Sequence, residues 1–439
     1  MTKTTGKLTG TLVACALVAA ACGDGNGEEV AGGEAIPITI QHMEVQPNRV
    51  DAFQETIDAF NASQDRFVVE QQTVGWDEAY TRAVAQISAD EQPDMLQAIP
   101  AFFTTIRDTG AVVPATGIYE ELAQRHDFIE AYTDQYVWDD EVWAVPAFGM
   151  LEGLWYNAAQ FEELGLEAPQ TWDEMLEVAE ALTTDGRHGV AVPAGDSFAT
   201  VQAIYTWMGA AGAADIYDDE CNVIVDNPDT VRAFEFYNDL VQFSPPDSPA
   251  YAWAEVEGAL VAQRASMITF KGSFLNAWQN DSGLDEGGLS MARIPQPADG
   301  GQDFTLSYSN AFMVLTEDDE VQEGILEFLD FFLTPENYGL WLGTSEPGLF
   351  LPVTDPDGDF DEFWSQPIIA DFEEEMRLQI EMSEVAQLYG FTQDGYCPAV
   401  GEFEGQLLLG KAVERMTVQG DSPEETVAWL ADEMRAIDG

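Results

Sequence analysis

The chain has 439 residues, 46% of them hydrophobic, enough for two lobes with cores of their own, and that apolar content excludes a disordered polypeptide. Asp and Glu number 80 against 16 Lys and Arg, for a formal net charge of -64. Such a field repels nucleic acid and anionic lipid, so nucleic acid is excluded as a partner.

In chain order, the apolar run Leu12–Ala21 follows Lys3 and Lys7. It falls well short of the roughly 20 apolar residues a spanning helix needs, so residues 1–21 are expected to be a secretory leader that is removed. Leu17, Val18 and three Ala directly before Cys22 resemble the lipobox of bacterial lipoproteins. That resemblance implies that Cys22 carries lipid, becomes the mature N-terminus and anchors the protein outside the cell membrane. The Gly-rich, charged stretch 22–35 has too little apolar surface to fold and is expected to be a flexible tether. No later apolar run reaches spanning length, so the mature body is expected to be water-soluble. Lys is confined to positions 3, 7, 271 and 411. An acid excess with undiminished apolar content resembles proteins of salt-adapted organisms, where dense counterions screen self-repulsion.

The body opens on a short strand, Ile36 to Ile40, followed by Val50, Phe53, Ile57 and Phe60 at helical spacing. A second strand, "RFVVEQQTV", leads to Trp76 and a helix through Tyr80, Val84 and Ile87, and "PDMLQAI" supplies a third. This alternation predicts an α/β fold with a parallel-rich sheet covered by helices on both faces. "TWDE" at Thr171 and "SPEE" at Ser422 have the spacing of capping boxes, and Pro follows Asn227 and Thr334 at further helix starts. Strands are expected at 189–193 ("GVAVP"), 265–270 and 304–315, the last leading to a helix with Val321, Ile325, Phe328 and Phe332 on one face.

Catalytic chemistry finds little support. His42, His126 and His188 are the only histidines, "GDSFA" at 195–199 lacks the nucleophile-elbow glycine, and no His follows it to complete a triad. There is no Cys-x-x-Cys, His-Glu-x-x-His or Walker loop, so neither cofactor nor metal is expected. "DPDGDFDE" (Asp355 to Glu362) spaces carboxylates by two, but its Gly is misplaced for an EF-hand and a solvated acidic loop is expected. Carboxylate pairs suited to glycoside hydrolysis are too numerous for spacing to inform. Cys221 and Cys397 remain in an exported, oxidising setting, and sequence leaves open whether they pair.

What does inform is a set of aromatics at strand ends and loops: Trp76, Phe148, Trp155, Phe274, Tyr308 and Phe350. Ligands of open α/β sheets bind beyond the carboxyl ends of strands, where flat rings suit the apolar faces of sugars. The stretch Trp143 to Thr183, "WAVPAFGMLEGLWYNAAQFEELGLEAPQTWDEMLEVAEALT", resembles the signature of extracellular solute-binding proteins of carbohydrate ABC transporters, the maltose-binding-protein family. "PDMLQA", "EGALVAQRASMITFKGSF" and "FLDFFLTPENYGLWLGTSEPGLFLP" follow in the family's order, so the resemblance covers nearly all of the mature chain.

The resemblance implies a type II two-lobed clamp, each lobe a mixed sheet flanked by helices. The crossings would lie near Pro146, Tyr308 to Ala311 and Phe350 to Pro352, with lobe 1 at 36–146 plus 311–351 and lobe 2 at 147–310 plus 352–439. It implies a sugar ligand closed between the lobes, ABC permease subunits as partners, a monomer and no enzymatic activity. By position, Trp76, Gln97 and Met150 match ligand-facing places, Phe274 matches a sugar-stacking aromatic, and Tyr308 and Ser309 would line the second hinge. Phe148 and Phe350 join the aromatic set, and Asp196 and Ser197 are candidate polar contacts. Lys271 is either a donor to sugar hydroxyls or an acidic sugar, or a surface lysine that survived. The alternatives are a non-sugar solute such as a polyol phosphate or compatible solute, and a secreted glycoside-acting enzyme.

Overall fold

The computed structural model describes residues 35–355, 360–392 and 395–437. The leader, Cys22, the tether apart from Ala35, and the centre of the acidic run 355–362 lie outside the described residues. Among the described residues no helix is long and apolar enough to cross a membrane.

The first sheet begins as expected. Strand β1 (Ile36–His42) pairs in parallel with β2 (Phe67–Thr73) over its whole length and with β3 (Met95–Ala98) on its other edge. Helix α1 (Pro47–Ser63) connects β1 to β2, and α2 (Trp76–Ser88) connects β2 to β3. Pro47 and Pro100 sit in the first turns of α1 and α3 (Pro100–Arg107), where no backbone donor is lost to the helix. Phe53, Ile57 and Phe60 of α1 are buried together with Ile38, Ile40 and Phe328, the core that the helical spacing foretold.

Beyond β3 the sheet becomes mixed, as the resemblance implies and the βα alternation alone does not, because its next two strands run antiparallel to their neighbours. β4 (Ala144–Leu151) and β8 (Thr305–Val314) lie side by side in opposite directions, while β8 also pairs antiparallel with β3. The physical reason is that both are crossing strands, carrying the chain between two sheets rather than closing a βαβ unit within one. All ten residues of β8 are buried, and a register shift at Asn310/Ala311 bends it midway. Its first residues pair with β9 (Ala386–Gln387).

The second sheet has β5 (Gly153–Asn157) between β6 (Met267–Phe270) and β7 (Leu289–Ala292), both antiparallel to it. The segment 189–193 is not a ladder strand. It is extended, but its backbone donors alternate between two neighbours: Ala191 N reaches Met267 O at 2.9 Å, while Val192 N reaches Ser244 Oγ at 3.1 Å. Helices α4 (Trp172–Leu182), α5 (Phe198–Ala211), α6 (Pro228–Val241) and α7 (Trp253–Val261) surround this sheet. The capping boxes at Thr171 and Ser422 form as read, and Asn227 caps α6. Helices α8 (Asp319–Phe332) and α9 (Pro335–Ser345) return to the first sheet. Cys221 and Cys397 are disulfide-bonded, tying the C-terminal region to the loop before α6.

Three segments meet at Gly149. It pairs with Ser309 on β8 and exchanges two 2.9 Å backbone hydrogen bonds with Leu351. The Tyr132 ring lies over it so closely that a Cβ added at Gly149 would sit 2.4 Å from the ring. Gly149→Ala should therefore cost about 1–3 kcal/mol through overpacking, measured by chemical unfolding in molar salt. A variant as stable as the natural chain would contradict this packing.

Candidate functional site

The side of the first sheet that faces the second is built around Gln97, the third residue of β3. Its oxygen accepts Met43 N at 2.7 Å, and its nitrogen donates to Glu44 Oε1 and Asn310 Oδ1, both at 2.9 Å. Arg49 binds Glu44 at 2.6 Å and Glu346 at 3.0 Å, and stacks over Phe350. Glu44, Arg49 and Gln97, with His42, Phe53, Phe148, Phe312 and Trp341, enclose a cavity of about 10 Å³, room for one water at most and none for a sugar ring.

Phe148, Trp341 and Phe350 form a stack behind the crossing, with ring centroids 4.3–5.4 Å apart. Phe148 and Phe350 are buried, as is Phe274, whose ring meets Trp155 edge-on at 5.3 Å. Tyr308 is buried too. Trp155 itself is buried, its Nε1 donating to Phe270 O at 3.1 Å, so five aromatics expected to face a ligand pack against protein in this structure. Trp76 opens α2 and is half-buried, and Tyr80 one turn later is half-buried against Phe102 at 4.5 Å.

The opposing side comes from helix starts around the second sheet. Ser197 is spent as the N-cap of α5, accepting Thr200 N at 3.2 Å, and Asp196 faces solvent. The next residue, Phe198, is half-buried and lies 5.7 Å from the Trp253 ring at the start of α7. Trp253 is 42% exposed, unusual for an indole, and its Nε1 donates to Gln202 Oε1 at 3.1 Å. The same Gln202 oxygen accepts Lys271 Nζ at 2.7 Å. Lys271 also pairs with Glu152 at 3.3 Å, and Glu152 accepts the Thr206 hydroxyl at 2.8 Å. Gln202 and Thr206 are one turn apart on α5, so one helix face holds both ends of the buried ion pair.

Lys271 is therefore buried and neutralised, not a surface survivor. Met150 is half-buried on β4 opposite Tyr308, and Ser309 is buried, its carbonyl accepting Tyr136 Oη at 2.6 Å. The Tyr308 hydroxyl donates to Glu404 at 2.9 Å and lies 2.7 Å from Tyr389 Oη, which also bonds Glu404. Burial pushes the Glu404 carboxyl up to about 7, against the two tyrosine hydrogen bonds that lower it. Glu257 on α7 bonds Ser273; burial raises its pKa, with Glu346 adding and Lys271 and Arg49 opposing.

Sequence reasoning missed Phe198, Gln202, Trp253, Glu152, Tyr389 and Glu404. One signal was available: in "YAWAEVEG" a Trp stands at the first position of a helix, where a large ring projects from the element rather than into its packed face. Glu404 had none, since 80 acidic residues hide one buried carboxyl.

Two α/β halves joined by crossing strands, with polar and aromatic groups on their facing surfaces, define a two-lobed type II binding protein. The sequence profile described as bacterial extracellular solute-binding protein matches residues 46–339, and the chain belongs to that family. YcjN of Escherichia coli (strain K12), provisionally named an ABC transporter periplasmic-binding protein, is 22% identical over 415 residues, 93% of this chain and 92% of its own. The cyclic alpha-maltosyl-1,6-maltose binding protein from Arthrobacter globiformis superposes with a TM-score of 0.76 at 20% identity, covering 92% of this chain and 100% of its own. A solute-binding protein of Agrobacterium radiobacter K84 solved with ribitol gives a TM-score of 0.73 at 15% identity, with 92% and 99% covered.

Removing Lys271 alone leaves Glu152 buried without its cation. Lys271→Met should lose about 3–5 kcal/mol, and Lys271→Met with Glu152→Leu should recover most of it. Unfolding of both variants in molar salt checks this; equal losses would contradict the pairing.

Proposed function

We propose that the protein is a lipid-anchored, extracytoplasmic receptor that binds a neutral sugar or sugar alcohol between its lobes and delivers it to the permease of an ABC importer. The lobes in this reading are 36–146 plus 311–351 and 147–310 plus 352–439, and the anchor is lipid on Cys22. Delivery by an importer is supported by family membership and by the name of the E. coli relative. A polyhydroxylated cargo is supported by the maltosyl-maltose and ribitol named for two structures of the same fold.

The observation that carries the reading is the exposed Trp253 ring held by its own N–H to Gln202, beside half-buried Phe198. A flat ring locked in place loses little entropy when a sugar face stacks on it, and Gln202 offers amide donors beside it. Neutral cargo is supported by charge: Arg49 and Lys271, the two cations lining the facing surfaces, are each already paired with carboxylates. An anionic sugar would have to displace those partners and meet Glu257 as well. This sets the polyol-phosphate alternative behind the neutral one.

Tryptophan fluorescence of the body from residue 36, titrated in molar salt with neutral mono-, di- and trisaccharides and sugar alcohols, tests this reading. One of them should give a saturable change without hydrolysis, weakened at least about tenfold, roughly 1.4 kcal/mol, by Trp253→Ala. Silence to all of them, with saturable binding of a sugar phosphate instead, would overturn it.

A further inference from the structure

Glu404 is the one buried carboxyl at the seam between the two halves for which the ligand reading provides no role. It lies on a short helix, α10 (Val400–Gly405), that packs against α3 of the first-sheet half. The approach is close: a Cβ added at Gly401 would stand 3.3 Å from the hydroxyls of both Thr104 and Thr105. On its other side the carboxyl is bonded by Tyr308, which belongs to the crossing strand β8, and by Tyr389. The Cys221–Cys397 disulfide pins the chain between Tyr389 and α10 to the second-sheet half. Glu404 thus touches a hinge strand and sits on a segment fastened to one half, in a helix that packs against the other.

The groups that bear on its charge come from every side. Tyr308 and Tyr389 donate to it, and the Tyr205 ring packs edge-on against Tyr389 at 4.8 Å. Tyr80 of α2 feels the carboxylate from across the seam. Thr104 and Thr105 are the polar side chains of α3 nearest Gly401. Gln202 reaches Tyr308, and the Lys271–Glu152 pair, neutral as a unit, stands one link further away. No cation is among the influences on Glu404.

We propose that Glu404 is a positioning residue for clamp closure: it binds a proton as the two halves close over it, so that the closed form is favoured in acid and loses that preference as the pH rises through neutrality. The inference rests on the clamp reading of the preceding subsection. When the halves part, α10 leaves α3 and water reaches the carboxyl, which then titrates near its ordinary 4.5. In the closed form burial holds it at about 7. The sign follows by linkage: closure is helped fully below about pH 4.5, the help falls about tenfold per pH unit above that, and it is gone above about pH 7. Tyr308 and Tyr389 stay protonated throughout, since burial pushes both hydroxyls further above their ordinary value.

The test needs no ligand, so its failure is separate from any failure of sugar binding. The radius of gyration of the body from residue 36 is measured by small-angle X-ray scattering from pH 4.5 to pH 8.5 at fixed molar salt. The natural chain should expand as the pH rises, with the change complete by about pH 7. Glu404→Gln, which is neutral at every pH, should remove that course. Tyr389→Phe, which takes away one hydrogen bond that favours the carboxylate, should move the course to higher pH, and it serves if Glu404→Gln does not fold. A radius that is constant across the range in the natural chain, the same pH course in Glu404→Gln, or an unmoved course in Tyr389→Phe would overturn the proposal.

Discussion

The architecture depends on the junction where β4, β8 and the Leu351 segment lie side by side at Gly149. β4 and β8 carry the chain between the two sheets, and β4 pairs there with both β8 and Leu351. Buried backbone groups must be paired, and here the pairing is made between segments that belong to neither sheet alone. Tyr132 covers the glycine, the Tyr338 hydroxyl bonds Ala147 O at 2.6 Å, and Phe148, Trp341 and Phe350 fill the space behind. Bending at such a junction is the form of motion that a binding clamp requires.

Around that junction the few cations are placed with economy. In a chain with 16 basic residues, Arg49 and Lys271 are committed to neutralising carboxylates on the two facing surfaces. A buried ion pair adds little net stability, because desolvation offsets its attraction. What the pairs do instead is hold orientation. Arg49 ties the loop after β1 to the end of α9 through Glu44 and Glu346, and Lys271 sets the Gln202 amide that carries Trp253. Other arginines pair with carboxylates at the surface, as Arg66 does with Glu323 and Glu327 and Arg435 with Asp226, where solvent and counterions screen the attraction.

Much of the frame was legible in the sequence. Helical spacing placed α1 and α8, capping chemistry placed α4 and α6, and β-branched runs placed the strands of the first sheet, because each is a local signal. The antiparallel half of that sheet was not legible in the βα alternation, since strand direction is set by which lobe the chain is leaving. Of the expected site residues, Met150 and Trp76 are half-buried, Gln97 is buried within the network it organises, and Phe148, Trp155, Phe274, Tyr308 and Phe350, read as rings at a cleft, are core. An aromatic at a strand end looks the same in sequence whether it faces a cleft or fills the wall behind it. Trp253 and Glu404 escaped for a related reason: what marks them is exposure in one case and burial in the other, and both are properties of the fold.

The central claim is that one ligand is held by both halves at once. Hydrogen–deuterium exchange of the body, with and without the sugar that saturates its fluorescence, tests this most directly. The account predicts simultaneous protection in the first turn of α2, at Trp76 to Tyr80, and at the starts of α5 and α7, around Phe198 to Gln202 and Trp253. Protection confined to one half, with the other exchanging as in the free protein, would contradict it.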